Sequence, residues 1–130
     1  MKVSRSTGYA LLAVGYIANH MKDGIVLSQD ISKQYNIPLE YLLKILQQLV
    51  KVSILKSKRG PRGGFSMAKP ITKISMLEII EAVEGPIHGQ LNFDDSVKRE
   101  KYIDKAEAVY AKAIDQAKAT FEKAKLSSLI

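Results

Sequence analysis

A chain of 130 residues has room for one small domain with an appendage, and not for two full domains. It contains no cysteine, which excludes disulfides, thiolate metal sites, cysteine nucleophiles and thiol redox switches. The net charge of +7 is unevenly held: residues 1–70 carry 11 Lys/Arg against 3 Asp/Glu, whereas residues 71–130 carry 9 against 10, so the N-terminal half supplies the field that draws a polyanion.

Lys2 and Arg5 precede an apolar run over residues 8–18 and together mimic the opening of a secretory signal. Ala18-Asn19-His20 is a poor cleavage site, however, and Tyr9, Leu12, Ala13, Tyr16, Ile17 and His20 follow helical spacing. The run therefore reads as the first core helix. It is too short to cross a membrane, and a cytoplasmic location is expected.

Asp23-Gly24 marks a turn, after which Ser28 is placed to N-cap a short helix with Asp30 in its first turn. That helix should stop at Tyr35-Asn36, because Asn tolerates the left-handed conformation and Pro38 cannot extend a helix already under way. Pro38 suits the first turn of a following helix that runs to about residue 51. In it Leu39, Leu42, Leu43, Leu46, Leu49 and Val50 form one stripe, with Glu40, Lys44, Gln47 and Lys51 opposite. Any amphipathic surface helix shows such a pattern. A recognition helix needs it too, since its outer side chains must reach base edges and phosphates while the inner ones hold it to the body.

Residues 51–69 hold six basic side chains and no acid. Two short strands, 54–58 and 64–68, flank a turn marked by Gly60, Pro61, Gly63 and Gly64. A cationic tip on a β-ribbon has the shape and sign for a nucleic-acid groove. Alone it is also compatible with an ordinary basic loop. The order helix, helix-turn-helix, basic hairpin is that of a winged helix-turn-helix.

Ile74-Ser75-Met76-Leu77-Glu78-Ile79 carries a capping box: Ser75 caps, Glu78 reaches back, and Ile74 staples onto Ile79. Met76, Ile79, Ile80 and Val83 form the expected buried stripe, and Gly85-Pro86 ends the helix. A loop over residues 85–95 follows. Its His88, with Asp94 and Asp95, reads as loop chemistry rather than a metal site, since one His beside two capping carboxylates is a poor donor set. Asp94 or Asp95 is expected to cap one long helix reaching about residue 125, with Ile103, Ala106, Tyr110, Ala113, Ala117, Phe121 and Ala124 spaced by threes and fours. About 30 helical residues would span roughly 45 Å, too long to pack wholly on so small a core. The stripe is therefore expected to bury against another chain, and its alanines make it a weak membrane anchor.

From end to end the sequence resembles the bacterial winged-helix regulators of the IscR, NsrR and CymR family. The resemblance is carried by Ser4-Arg5-Ser6-Thr7-Gly8-Tyr9-Ala10, Asp30-Ile31-Ser32, Ile37-Pro38-Leu39-Glu40-Tyr41-Leu42, Arg59-Gly60-Pro61-Arg62-Gly63-Gly64-Phe65 and the run from Ile74 to Val83. Beyond residue 90 the match is one of architecture. It implies a homodimer paired through long C-terminal helices, with a recognition helix in a major groove and a wing in the adjacent minor groove. Arg59 then becomes the wing residue that enters the minor groove, and Pro38, Glu40 and Tyr41 stand where base-reading residues lie. Pro38 and Glu40 replace small hydroxyl residues of some relatives, which implies a different operator. Many relatives hold an iron–sulfur cluster through cysteines in the loop corresponding to residues 85–101. This chain has none, so a cysteine-ligated cluster is excluded and no cofactor is expected.

The reading is a mainly α fold with a small β-hairpin: a winged helix-turn-helix over residues 1–84, a loop and sensing region over 85–95, and a long dimerisation helix with its tail over 96–130. The expected function is sequence-specific DNA binding as a homodimeric repressor on an inverted repeat. Double-stranded DNA would be met by Arg5, Ser28 and Gln29, by Pro38, Glu40, Tyr41, Lys44 and Gln47, and by Lys58, Arg59 and Arg62. The effector would be a small molecule or a protein partner. The alternative is a dimeric interaction module whose basic face binds nucleic acid without specificity, which sequence preference and salt dependence would separate. An enzyme is not expected, since His20 and His88 come with no nucleophile motif, phosphate loop or metal spacing.

Overall fold

A computed structural model describes residues 3–60 and 63–130. Its centre is helix α1 (Arg5–Asn19), which buries Thr7, Ala10, Ala13, Val14, Ile17 and Ala18. This face is rotated from the expected one: Leu12 is exposed, and Tyr9 and Tyr16 are half-buried. The small side chains of Ala10 and Ala13 face the core, where close helix packing leaves little room for larger ones.

Helix α2 (Ser28–Tyr35) and helix α3 (Leu39–Lys51) form the helix-turn-helix. Ser28 is the first helical residue rather than the cap, because the chain is still extended at Leu27, and no side chain caps this end. At the other end Asn36 is left-handed (φ 55°), as its position after Tyr35 predicts. Ser32 ties off the turn by donating its hydroxyl to the Ile37 carbonyl at 2.6 Å. Pro38 precedes α3 as its cap, and the Leu42 N–H donates to the Pro38 carbonyl at 2.9 Å. The α3 core face consists of Leu42, Ile45, Leu46 and Leu49; Ile45 widens the expected stripe, while Leu39, Leu43 and Val50 are only half-buried.

Strands β1 (Leu55–Lys58) and β2 (Gly64–Met67) pair antiparallel, with Leu55 opposite Met67 and Lys58 opposite Gly64. Val26 bridges to Phe65 on the other edge of β2, with both N–H to O distances at 2.8 Å. This bridge requires Gly64, where a Cβ would sit 2.4 Å from Ile25 Cγ2 and 2.5 Å from the Val26 carbonyl oxygen. Pro61 and Arg62 lie outside the described residues.

Helix α4 (Met76–Glu84) opens with the capping box intact: the Glu78 N–H donates to Ser75 Oγ at 3.1 Å, and the Ser75 N–H to Glu78 Oε1 at 3.3 Å. Its buried residues are Leu77, Ile79 and Ile80, with Met76 and Val83 half-buried. Helix α5 (Lys101–Lys123) starts later than expected. Asp94 does not cap it, because its carboxylate accepts the Ser96 N–H and hydroxyl at 2.9 and 2.7 Å in a local turn. The helix also ends earlier, at Lys123, where Ala124 becomes extended.

The chain then returns to the winged helix. Lys125 bridges to Ser75, the Met76 N–H donates to the Ala124 carbonyl, and the Leu126 N–H donates to the Ile74 carbonyl, both at 2.8 Å. Helix α6 (Leu126–Leu129) sinks Leu126 into the main core, where it is 4% exposed. The long helix is thus anchored at its far end. Leu126→Ala should cost about 2–5 kcal/mol in urea unfolding. A loss under about 1 kcal/mol would show that this anchor is dispensable. No described helix is long and apolar enough to cross a membrane.

Candidate nucleic-acid interface

The polar end of the molecule is assembled around Tyr41 in the first turns of α3. Its hydroxyl is hydrogen-bonded to Ser6 of α1, and its ring meets Tyr9 edge-on at a centroid distance of 5.6 Å. Such edge-to-face pairs add stability beyond the area they bury. Tyr41 is nevertheless 40% exposed, so the ring is fixed in direction and still presents a face to solvent. Arg5, Tyr9, Pro38 and Tyr41 line one shallow depression. A second depression runs from Ser6 and Tyr41 along Lys44, Gln47 and Gln48. Gln48 joins this surface beyond the expected residues; it directly follows Gln47 on the helix.

Glu40, Lys44 and Gln47 are exposed on α3, Gln29 is exposed at the start of α2, and Ser28 beside it is half-buried. Lys58 closes β1 and Arg59 opens the turn, both exposed. The turn is held by its own backbone, with Gly60 at φ 104° and the Gly63 N–H donating to the Gly60 carbonyl at 2.9 Å. At Gly63 a Cβ would lie 2.3 Å from the Lys58 carbonyl oxygen. Arg62, expected at the wing, falls outside the described residues. Among the described residues, the ion pairs involve Lys69 with Glu78 and Arg99 with Asp104 and Glu107, so none neutralises Arg5, Lys44, Lys58 or Arg59. These exposed cations keep their field for a polyanion.

The start of α1 is positioned by a residue far away in sequence. Glu84 at the end of α4 accepts the Ser4 N–H at 2.8 Å, the Ser4 hydroxyl, and the Thr7 hydroxyl at 2.7 Å. A carboxylate at a helix N-terminus is also favoured by the helix dipole. The Ser4 hydroxyl, then the Thr7 hydroxyl and the Ser4 N–H, hold this carboxyl below its ordinary range. A lowered folded-state value means that the contribution is present above the unfolded value and is lost as pH falls through the folded one. Acid titration followed by NMR should move the Ser4 and Thr7 amide signals together, with a midpoint below that of a free glutamate. Glu84→Gln should abolish that titration, and its persistence would assign it to another group.

The segment between α4 and α5 is held to both helices. The Ile87 N–H donates to Glu81 Oε2 at 2.9 Å, and the Leu91 N–H to Glu107 Oε2 at 3.1 Å. Arg99 reaches Asp104 at 2.8 Å and Glu107 at 3.1 Å, and lies 5.7 Å from the Phe93 ring centroid. Gly89 lies against α5 so closely that a Cβ would sit 2.6 Å from Ala111 Cα. His88 is exposed and its Nδ1 accepts the Gln90 N–H at 3.4 Å, while Asp94 is engaged by Ser96. Among the described residues no three His, Cys, Asp or Glu side chains converge on one point.

Along α5 the expected pairing stripe divides. Ile103, Ala106, Tyr110, Ala117 and Phe121 are half-buried within the protomer, on the side of the one buried α5 residue, Ile114, while Ala113 is exposed. Ile114 was missing from the expected stripe. A neighbouring ridge turns to solvent: Tyr102, Ala106, Val109, Ala113, Gln116 and Thr120 succeed one another by alternating fours and threes without a charge, all exposed except the half-buried Ala106. Tyr102 is 76% and Val109 71% exposed.

A family model described as "Iron-dependent Transcriptional regulator", Rrf2, matches residues 3–130. A protein of Aquifex aeolicus, named provisionally as an HTH-type transcriptional regulator, is 41% identical over 81 residues, which are 62% of this chain and 56% of that one. The regulator IscR of Cereibacter sphaeroides is 34% identical over 90 residues, 68% of this chain and 58% of that one. The chain thus spans little more than half the length of these curated relatives. In fold it is similar to CymR, the global cysteine regulator of B. subtilis, with a TM-score of 0.81 at 22% identity over 99% of this chain and 95% of that one. An iron–sulfur cluster of the cysteine-ligated kind does not fit the residues present, because the chain offers no thiolate.

Proposed function

The chain belongs to the Rrf2 family of transcriptional regulators, a DNA-binding winged-helix family, and from that premise we propose that it is a homodimeric repressor that reads an inverted-repeat operator without a cluster. The observation that carries the reading is the exposed run of Tyr41, Lys44 and Gln47 on a recognition helix whose Tyr41 is braced by α1. A base-reading side chain must be fixed before it can discriminate, and a brace from a separate helix supplies that fixation. Tyr41, Glu40 and Pro38 contact bases in this reading; Lys44, Arg5 and the start of α2 at Ser28 and Gln29 hold phosphates, and Lys58, Arg59 and Arg62 form the wing contact.

Residues 1–84 form the reading head, residues 85–95 the link, and residues 96–130 the pairing unit. The dimer seam is supported by the uncharged ridge through Tyr102 and Val109, an apolar surface that a lone protomer leaves in water. Its occupant is a second copy, since a two-fold axis lets one ridge cover its twin.

Selection of bound fragments from a random DNA pool tests the function. The expected product is an inverted repeat with half-sites about one or two helical turns apart. Affinity for it should fall steeply with salt. Fragments with no shared sequence would favour the interaction module whose basic face binds nucleic acid without specificity.

A further inference from the structure

Between the end of α1 and the hairpin lies an open-mouthed cleft of about 340 Å³, whose walls include Met21, Ile25, Lys56, Ser66 and Met67. Lys56 and Ser66 are directly opposite each other across β1 and β2, so their side chains leave the sheet on the same face. Ser66 Oγ is shielded from solvent and has no hydrogen-bond partner among the described residues. A buried hydroxyl in that state forgoes the bond it would have made to water, and calls for an explanation. Lys56 is exposed, and among the described residues no carboxylate lies within ion-pair distance of it. The other walls are thioether and aliphatic.

We propose that this cleft binds a small organic carboxylate with a short apolar tail. The Lys56 ammonium and the Ser66 hydroxyl donate to the carboxylate oxygens, and Met21, Ile25 and Met67 take the tail. One cation and one unsatisfied donor, set at the edge of an otherwise apolar wall, match an amphiphile with a single anionic head. A phosphate or dicarboxylate would carry more charge than one lysine neutralises. Unbranched methionine side chains can shape themselves around tails of different form. A ligand seated there touches the base of the hairpin and the turn after α1 at once, beside the Val26 to Phe65 pairing.

The binding claim does not depend on DNA recognition, and its test uses the free, full-length protein. With methionine methyls labelled by carbon-13, straight-chain carboxylates from acetate to octanoate are titrated in beside the matching amides. Saturable shifts of the Met21 and Met67 methyl signals are expected for the carboxylates of intermediate length, and weaker ones or none for the amides. Lys56→Met should remove the response while leaving circular dichroism unchanged, since this side chain is exposed. Ser66→Ala should weaken binding roughly tenfold, as expected for a hydrogen bond to a charged group. Absence of saturable shifts across the whole series would overturn the proposal. So would equal binding of amides and carboxylates, or full binding by Lys56→Met, because either outcome would leave only an apolar dent.

Discussion

Arg59→Ala is expected to weaken binding to the selected operator by about 1–3 kcal/mol, roughly 5- to 150-fold, with the fold unchanged. Arg59 is exposed, and the turn it opens is closed by the Gly63 to Gly60 hydrogen bond between backbone groups. Among the described residues, the substitution therefore removes no core contact and no side-chain hydrogen bond or ion pair. What it removes is a guanidinium at the tip of a two-stranded ribbon, the group best matched to the deepened negative potential of a narrow minor groove. Filter binding and circular dichroism on one preparation check both halves of the expectation. The loss should be greatest for operators with an A·T-rich segment under the wing. Unchanged affinity with native circular dichroism would remove Arg59 from the interface and leave the wing as a surface loop.

The features legible in the sequence are those whose cause is local. Ser75 and Glu78 satisfy each other across three residues, so the capping box of α4 follows from the sequence alone. Asn36 and Pro38 end one helix and begin the next through their own backbone preferences. The glycines of the wing fix its turn in the same way. Periodicity, by contrast, says that α5 has an apolar side but not what covers it. The protomer's own body half-buries Ile103, Tyr110 and Phe121 and buries Ile114, and the uncharged ridge left open is the adjacent one. Asp94 illustrates a second kind of failure. A capping residue can spend its carboxylate on a nearer turn, and whether it does depends on the path of the following chain.

Contacts distant in sequence left no signal at all. The Glu84 link to Ser4 and Thr7 spans the whole winged helix, and a glutamate at the end of a helix is unremarkable until another helix is brought to it. The return of residues 124–126 to the α4 start is likewise a pairing between segments that share no pattern. Both bear on function, because one sets the direction of the α1 face that braces Tyr41 and the other ties the long helix to the reading head. In the homodimer proposed above, a helix anchored in this way would hold the two heads at a fixed spacing rather than through a flexible joint.

Val109→Glu is expected to convert the protein to a monomer and to abolish cooperative binding to the inverted repeat. Val109 is 71% exposed in the protomer and sits midway along the uncharged ridge, so the new carboxylate meets water until two copies pair. Substituting Ile103 and Phe121 would be less informative, because both are half-buried within the protomer and their loss would disturb its fold as well as any seam. In a two-fold dimer the change enters twice, once from each chain. An uncompensated buried charge costs about 3–5 kcal/mol, enough to weaken association by two or more orders of magnitude. Sedimentation should therefore give a single-chain mass where the parent gives twice that. An isolated half-site should be bound no worse than before, since the reading head and its Tyr41 brace are untouched, while the intact repeat should lose its advantage over the half-site. A dimer that survives Val109→Glu in analytical ultracentrifugation would move the seam off this ridge, and a selected operator without inverted symmetry would remove the need for a two-fold seam altogether.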